Sequence, residues 1–174
     1  MKNIVLIGMS GSGKTSVGEY ISGKLDMEFI DTDNILITRN KMDISHIFDR
    51  YGEDYFRRME GQLIREICPM TESVISTGGG IILCEDNIKL LRQNGIIFFL
   101  KGEVDTLIRN LQTSSLNHRP LLAEDGALGT QISRMYKDRK ELYLNSADII
   151  IPIDNRAIEK VGNCIVDQFL RIAY

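Results

Sequence analysis

The residues with the most chemical content are Gly8-Met9-Ser10-Gly11-Ser12-Gly13-Lys14-Thr15, which fit G-x-x-x-x-G-K-[ST] directly after the apolar run Asn3-Ile4-Val5-Leu6-Ile7. Glycines at 8, 11 and 13 let the backbone wrap so that its N–H groups point inward at phosphate oxygens, where side chains would block the approach. A helix beginning near Gly13 and Lys14 adds unpaired N–H groups and a positive dipole end. In such a loop Lys14 reaches the β- and γ-phosphates and the Thr15 hydroxyl ligates magnesium. The plain alternative is a glycine-rich turn with no ligand, and the strand before and helix after count against it.

Other chemically capable residues lie at the ends of later apolar runs. Asp31-Thr32-Asp33 follows Phe29-Ile30 and places two carboxylates two residues apart, where magnesium and a hydroxyl nucleophile would be managed if the strands are neighbours. Arg57 and Glu60 are helical neighbours at i, i+3, which alone reads equally as a solvated ion pair worth little. Thr77-Gly78-Gly79-Gly80 offers bare backbone N–H groups for an anion or hydroxyl, or a tight turn. Arg119 is the one firm cation of a polar, helix-breaking stretch over about 112–126. That stretch reads as a mobile surface loop able to close over a phosphate site, with His118 a polar residue of it. Arg139 and Lys140, near a helix carboxyl end, are candidate dipole partners. Asp154-Asn155-Arg156 is a turn able to flank an adenine base, with Arg156 either contributing or simply solvated.

The elements that must position these groups follow from periodicity. Apolar runs at Ile4 to Ile7, Phe29-Ile30, Val74-Ile75, Ile96 to Leu100 and Ile149 to Ile151 alternate with helix-length segments. The alternation predicts βαβ units around a parallel sheet, in which all five runs can be central or near-central. Ligands in such sheets sit beyond the carboxyl ends of the strands, where the residues above fall. Helical faces recur at Val17, Ile21 and Leu25, ending near Asp26, and at Phe56, Met59, Leu63 and Ile67 in a helix opened by Tyr51–Glu60. Further faces lie at Val104, Leu107, Ile108 and Leu111, at Ile132, Met135, Tyr136, Leu142 and Tyr143, and at Val161, Ile165, Val166 and Phe169. Ile81 and Ile82 resume an apolar pattern after the triple glycine.

Length and composition bound the function. A chain of 174 residues fits one domain. A formal net charge of −3 argues against general nucleic-acid binding. Cys68, Cys84 and Cys164 stand apart with no C-x-x-C pair, which predicts reduced, mostly buried thiols rather than a zinc site. No apolar run has the length of a membrane span or the layout of a signal peptide, so the expected location is the cytoplasm.

Taken together, Gly8 to Thr15, Asp31-Thr32-Asp33, Ile47-Phe48 before Tyr51-Gly52-Glu53 and Phe56-Arg57-Arg58, Thr77-Gly78-Gly79-Gly80, Arg119-Pro120-Leu121-Leu122 and Arg139 with Leu142-Tyr143 resemble the shikimate kinases over essentially the whole chain. The resemblance implies a single P-loop kinase domain over 1–174, a three-layer α/β/α fold with a five-stranded parallel sheet of order 2-3-1-4-5. It also implies ATP-dependent phosphorylation of the 3-hydroxyl of shikimate with Mg²⁺, by a monomer that engages neither nucleic acid nor membrane. The acceptor segment would span about 33–61 and the lid about 112–126.

Residue by residue, the resemblance implies that Asp33 orients the attacking hydroxyl and that Asp31 supports magnesium through water. Arg57, Arg139, Gly78, Gly79 and Gly80 would hold the substrate carboxylate and ring hydroxyls, with Glu60 fixing Arg57 and Phe48 and Phe56 walling the ring. Gly11, Ser12, Gly13, Lys14, Thr15, Ser16, Arg119 and Arg156 would serve ATP, with Lys14, Asp33 and Arg119 catalytic. The chain departs from the family pattern in two places. Its lid is neutral between Arg109 and Arg119 where relatives often carry extra basic residues, and Asn155-Arg156-Ala157 stands where many place a proline against adenine. Arginines 57 and 139 would also suit the phosphate of a nucleoside monophosphate, so a gluconate or nucleotide kinase of the same fold is the nearest rival. A regulatory nucleotide-binding module is more distant, because it needs no acceptor-orienting carboxylate.

Overall fold

The computed structural model describes residues 1–115 and 125–173. Its sheet consists of β1 (Asn3–Ile7), β2 (Glu28–Asp31), β3 (Ser73–Ser76), β4 (Gly95–Lys101) and β5 (Ile149–Pro152). The order is β2-β3-β1-β4-β5 and every pairing is parallel. β1 and β3 are buried throughout and β4 almost so, as expected for strands covered on both faces. β2 and β5 lie at the edges, as the order 2-3-1-4-5 implied by the resemblance requires, although periodicity alone allowed all five runs to be central, and Ile150 on β5 is 45% exposed. An apolar run as short as Ile149 to Ile151 looks the same at an edge as in the middle, because only pairing on its second side distinguishes them.

The helices are α1 (Lys14–Leu25), α2 (Thr32–Asn40), α3 (Ile44–Tyr51), α4 (Glu53–Ile67), α5 (Glu85–Asn94), α6 (Val104–Ser115), α7 (Asp125–Ser146) and α8 (Ile158–Ala173). The apolar faces of α1 and α8 meet, with Val17, Ile21, Val161, Ile165 and Phe169 buried against the sheet. Among the described residues no helix is long and apolar enough to cross a membrane.

Several sequence expectations need correction. Tyr51 closes α3, and α4 starts only after Gly52, whose φ of 81° breaks the helix. The apolar pattern resumed at Ile81 and Ile82 is a single 3₁₀ turn, Ile81–Leu83. Gln112 to Ser115 continue α6, and Asp125 and Gly126 belong to α7, so the lid expectation overlaps two helices; its remaining residues, Arg119 and His118 among them, lie outside the described residues. Arg139 and Lys140 are internal to α7, whose last turn carries no basic residue, which removes their reading as dipole partners. Leu142 is 40% exposed, off the face that buries Tyr136 and Tyr143. Cys68, Cys84 and Cys164 are free and half-buried rather than buried.

Candidate active site

The loop after β1 is shaped by its own packing. A Cβ on Gly11 would stand 2.5 Å from the Leu107 carbonyl oxygen of α6, and the residue sits at φ 84°. Gly13, at φ 81°, has open space around it, so its need for glycine is conformational. Lys14 Nζ donates to the carbonyls of Gly8 (2.8 Å) and Met9 (3.1 Å) and faces Ser12 Oγ at 3.5 Å. The lysine keeps some accessible surface, but its ammonium lies within the loop. Burial pushes its pKa down to about 8 against the opposing pull of Asp33 and Asp31.

Asp31-Thr32-Asp33 divides its labour at the β2–α2 junction. Asp31 accepts from Thr15 Oγ1 at 2.8 Å and caps α2 by accepting from the Asn34 N–H at 3.1 Å. Thr32 is fully buried, and its hydroxyl accepts from the Gly78 N–H at 3.1 Å, pinning the triple-glycine loop to α2. Asp33, one residue into the helix, faces that loop so closely that a Cβ on Gly78 would lie 2.5 Å from Oδ1. Burial raises the Asp33 pKa, and Lys14 opposes the shift.

The Arg57–Glu60 pair is not the solvated couple that residue type alone allows, because Glu60 is only 1% exposed. Arg57 Nη1 donates to Glu60 Oε2 at 2.9 Å, while Nε and Nη2 donate to Glu53 Oε1 at 3.2 and 3.0 Å. Burial works against the guanidinium charge, but Glu60 and Glu53 outweigh it and raise the pKa further. Burial also raises Glu60, whose Oε1 has no hydrogen-bond partner among the described residues. A Cβ on Gly80 would run into the Arg57 guanidinium. Phe48 and Phe56 stack at 4.9 Å with their planes tilted by 34°.

Two residues escaped the sequence reading as site elements. Thr32 reads as a spacer between carboxylates. Tyr143, fully buried and stacked on Phe99 at 4.9 Å, donates its hydroxyl to the Gly79 carbonyl and lies beside Arg139. Its i, i+4 spacing from Arg139 was the available signal, but an apolar-face tyrosine normally reads as core. Burial raises the Tyr143 pKa well above its ordinary value, so the hydroxyl stays a donor.

These groups line two cavities at the carboxyl ends of the strands. One, of about 680 Å³, is lined by Gly11, Ser12, Gly13, Lys14, Thr15, Ser16, Asp31, Asp33 and Arg156 among others. The second, of about 820 Å³, is lined by Asp33, Phe48, Phe56, Arg57, Glu60, Gly78, Gly79, Gly80 and Arg139, with Ile132 and Met135 from α7. Every candidate from the sequence that lies among the described residues is thus at one cavity or both; Arg119 lies outside them.

A family model described as "Shikimate kinase" matches residues 10–170. The chain belongs to the shikimate kinase family. It is 41% identical over 166 residues to a shikimate kinase of Caldicellulosiruptor bescii, covering 92% of this chain and 94% of the relative. Among solved structures, the shikimate kinase from Acinetobacter baumannii in complex with shikimate superposes with a TM-score of 0.88 at 30% identity, covering 99% of this chain and 94% of that one. A gluconokinase from Sinorhizobium meliloti superposes at 0.62 and 19% identity over 99% of this chain and 93% of its own, a likeness of fold alone. The activity is therefore that of a shikimate kinase, ATP-dependent phosphorylation of the 3-hydroxyl of shikimate to shikimate 3-phosphate.

Proposed function

We propose that the two cavities are the nucleotide and shikimate halves of one in-line transfer site with Asp33 at their junction. The observation that carries the reading is Asp33 itself, which lines both cavities and whose carboxylate accepts no hydrogen bond among the described residues. Its carboxylate accepts from the 3-hydroxyl of shikimate and aims that oxygen at the γ-phosphoryl group. A raised pKa makes it a better proton acceptor than a free aspartate, although a loose transition state demands little of a base.

Arg57 and Arg139 take the substrate carboxylate, a pairing that guanidinium forms bidentately and lysine cannot imitate. Glu60 and Glu53 orient Arg57, Gly79 and Gly80 meet ring hydroxyls through bare backbone, and Phe48 and Phe56 wall the ring. On the other side Gly11, Ser12, Gly13, Lys14, Thr15 and Ser16 cradle the phosphates, with Arg156 towards the base. Arg119, outside the described residues, is assigned from the sequence to neutralise transition-state charge. It belongs to the lid read from the sequence as about 112–126, whose ends fall in α6 and α7, of a single domain over 1–174 with its acceptor segment at about 33–61.

The residues present fit magnesium arriving with the nucleotide. Thr15 Oγ1 and Asp31 Oδ2 are hard oxygen donors 2.8 Å apart, and magnesium keeps several waters, so Thr15 would ligate directly and Asp31 through water. When bound, the ion would supply neutralisation of the charge on the transferring phosphoryl group. Three free thiols suit the cytoplasm, and a monomer is the proposed state.

Asp33→Asn tests the reading. ATP binding should stay within a few fold while turnover falls by at least ~100-fold. Turnover near wild type would remove Asp33 from this role.

A further inference from the structure

The polar side chains of the phosphate loop are committed, with one exception. Ser12 is buried beside the Lys14 ammonium, Lys14 donates to loop carbonyls, and Thr15 donates to Asp31. Ser10 is exposed and its hydroxyl makes no hydrogen bond among the described residues. Its place is well defined, because a Cβ on Gly79 would find Ser10 N at 3.4 Å and Ser10 Oγ at 3.5 Å. Ser10 therefore lies directly over the bare α-carbon of Gly79, whose carbonyl Tyr143 holds.

Ser10, Asp33, Gly79 and Leu111 line both cavities, and only Ser10 and Asp33 among them have polar side chains. They are complementary. The Asp33 carboxylate accepts hydrogen bonds and repels phosphate oxygens, whereas the Ser10 hydroxyl donates. A phosphoryl group crossing between the cavities spreads negative charge over three equatorial oxygens, so a donor at the crossing point stabilises it.

The geometry points to Ser10 as a further catalytic residue, its hydroxyl donating a hydrogen bond to an equatorial oxygen of the phosphoryl group in flight. The bond from phosphorus to the bridging oxygen of ADP breaks and the bond to the shikimate 3-oxygen forms. The proton of that hydroxyl leaves to Asp33, and Ser10 keeps its own proton throughout. The inference rests on the reading of Asp33 as the junction of the two cavities.

Steady-state kinetics of Ser10→Ala and Ser10→Thr, with Asp33→Asn alongside, test it. Ser10→Ala should lower kcat by about 10- to 100-fold, the loss of one hydrogen bond to a charged group. The KM values for ATP and shikimate and the melting temperature should hold. Ser10→Thr keeps the donor and should retain most of the turnover. An unchanged kcat in Ser10→Ala, a loss confined to KM, or equal losses in the alanine and threonine variants would overturn the role. If Asp33→Asn loses turnover while Ser10→Ala does not, Ser10 alone is wrong; if neither does, the junction reading falls with it.

Discussion

The two glycine loops of this site use the same residue for opposite reasons. In the phosphate loop, Gly11 and Gly13 sit at φ 84° and 81°, where side chains are strained whatever the space around them. In the loop after β3, Gly80 has φ −96° and ψ 0°, a conformation open to any residue. What excludes a side chain there is the Arg57 guanidinium, as Asp33 excludes one at Gly78. The nucleotide side is thus held by backbone conformation and the acceptor side by close approach of charged side chains. The principal cations differ in the same sense. Lys14 rests on carbonyl dipoles with its pKa pushed down to about 8, whereas Glu60 and Glu53 hold Arg57 and raise its pKa. One cation is poised for phosphate charge, and the other is already oriented for a planar carboxylate.

The largest effect is expected where conformation and contact combine. Gly11→Ala adds a Cβ 2.5 Å from the Leu107 carbonyl oxygen at a left-handed φ. It should cost more than about 2 kcal/mol in denaturant unfolding and weaken ATP binding. A silent substitution would mean that the loop is not fixed by its backbone.

Next is the charge on Lys14. A lysine pKa lowered by folding means that its protonation weighs against the native state, and that this burden lifts as pH rises through about 8. Lys14→Met should therefore abolish turnover yet raise the melting temperature below pH 8, with the advantage shrinking above it. A difference independent of pH would show that the ammonium is not desolvated.

Tyr143→Phe should have the smallest effect, about 1 kcal/mol of stability for one buried hydrogen bond. A modest rise in KM for shikimate should accompany it as Gly79 loosens. A change in ATP affinity alone would place Gly79 on the wrong side of the comparison.

How much of this was legible in the sequence follows the same division. Conformational demands leave a local pattern, so Gly8 to Thr15, the strand before it and the start of α1 could be read from residue types alone. The acceptor side depends on residues from β2, α4, the loop after β3 and α7 meeting in space, and resemblance, more than spacing, brought Asp33, Arg57 and Arg139 together. Leu142 and Tyr143 illustrate the limit. Both are apolar-looking neighbours on one helix, and only packing against Phe99 decides that Tyr143 turns inward while Leu142 meets solvent. Glu60 is similar, since its burial depends on the whole of α4 docking and cannot be seen in the i, i+3 spacing from Arg57.

The measurement closest to the central claim is the pair of KM values for Gly80→Ala. If glycine is needed there only to admit Arg57, the variant should fold with a near wild-type melting temperature and keep its KM for ATP. Its KM for shikimate should rise at least ~10-fold through the displaced guanidinium. A variant that instead unfolds, or that loses ATP and shikimate affinity together, would contradict the division between a loop held by conformation and a loop held open for a side chain.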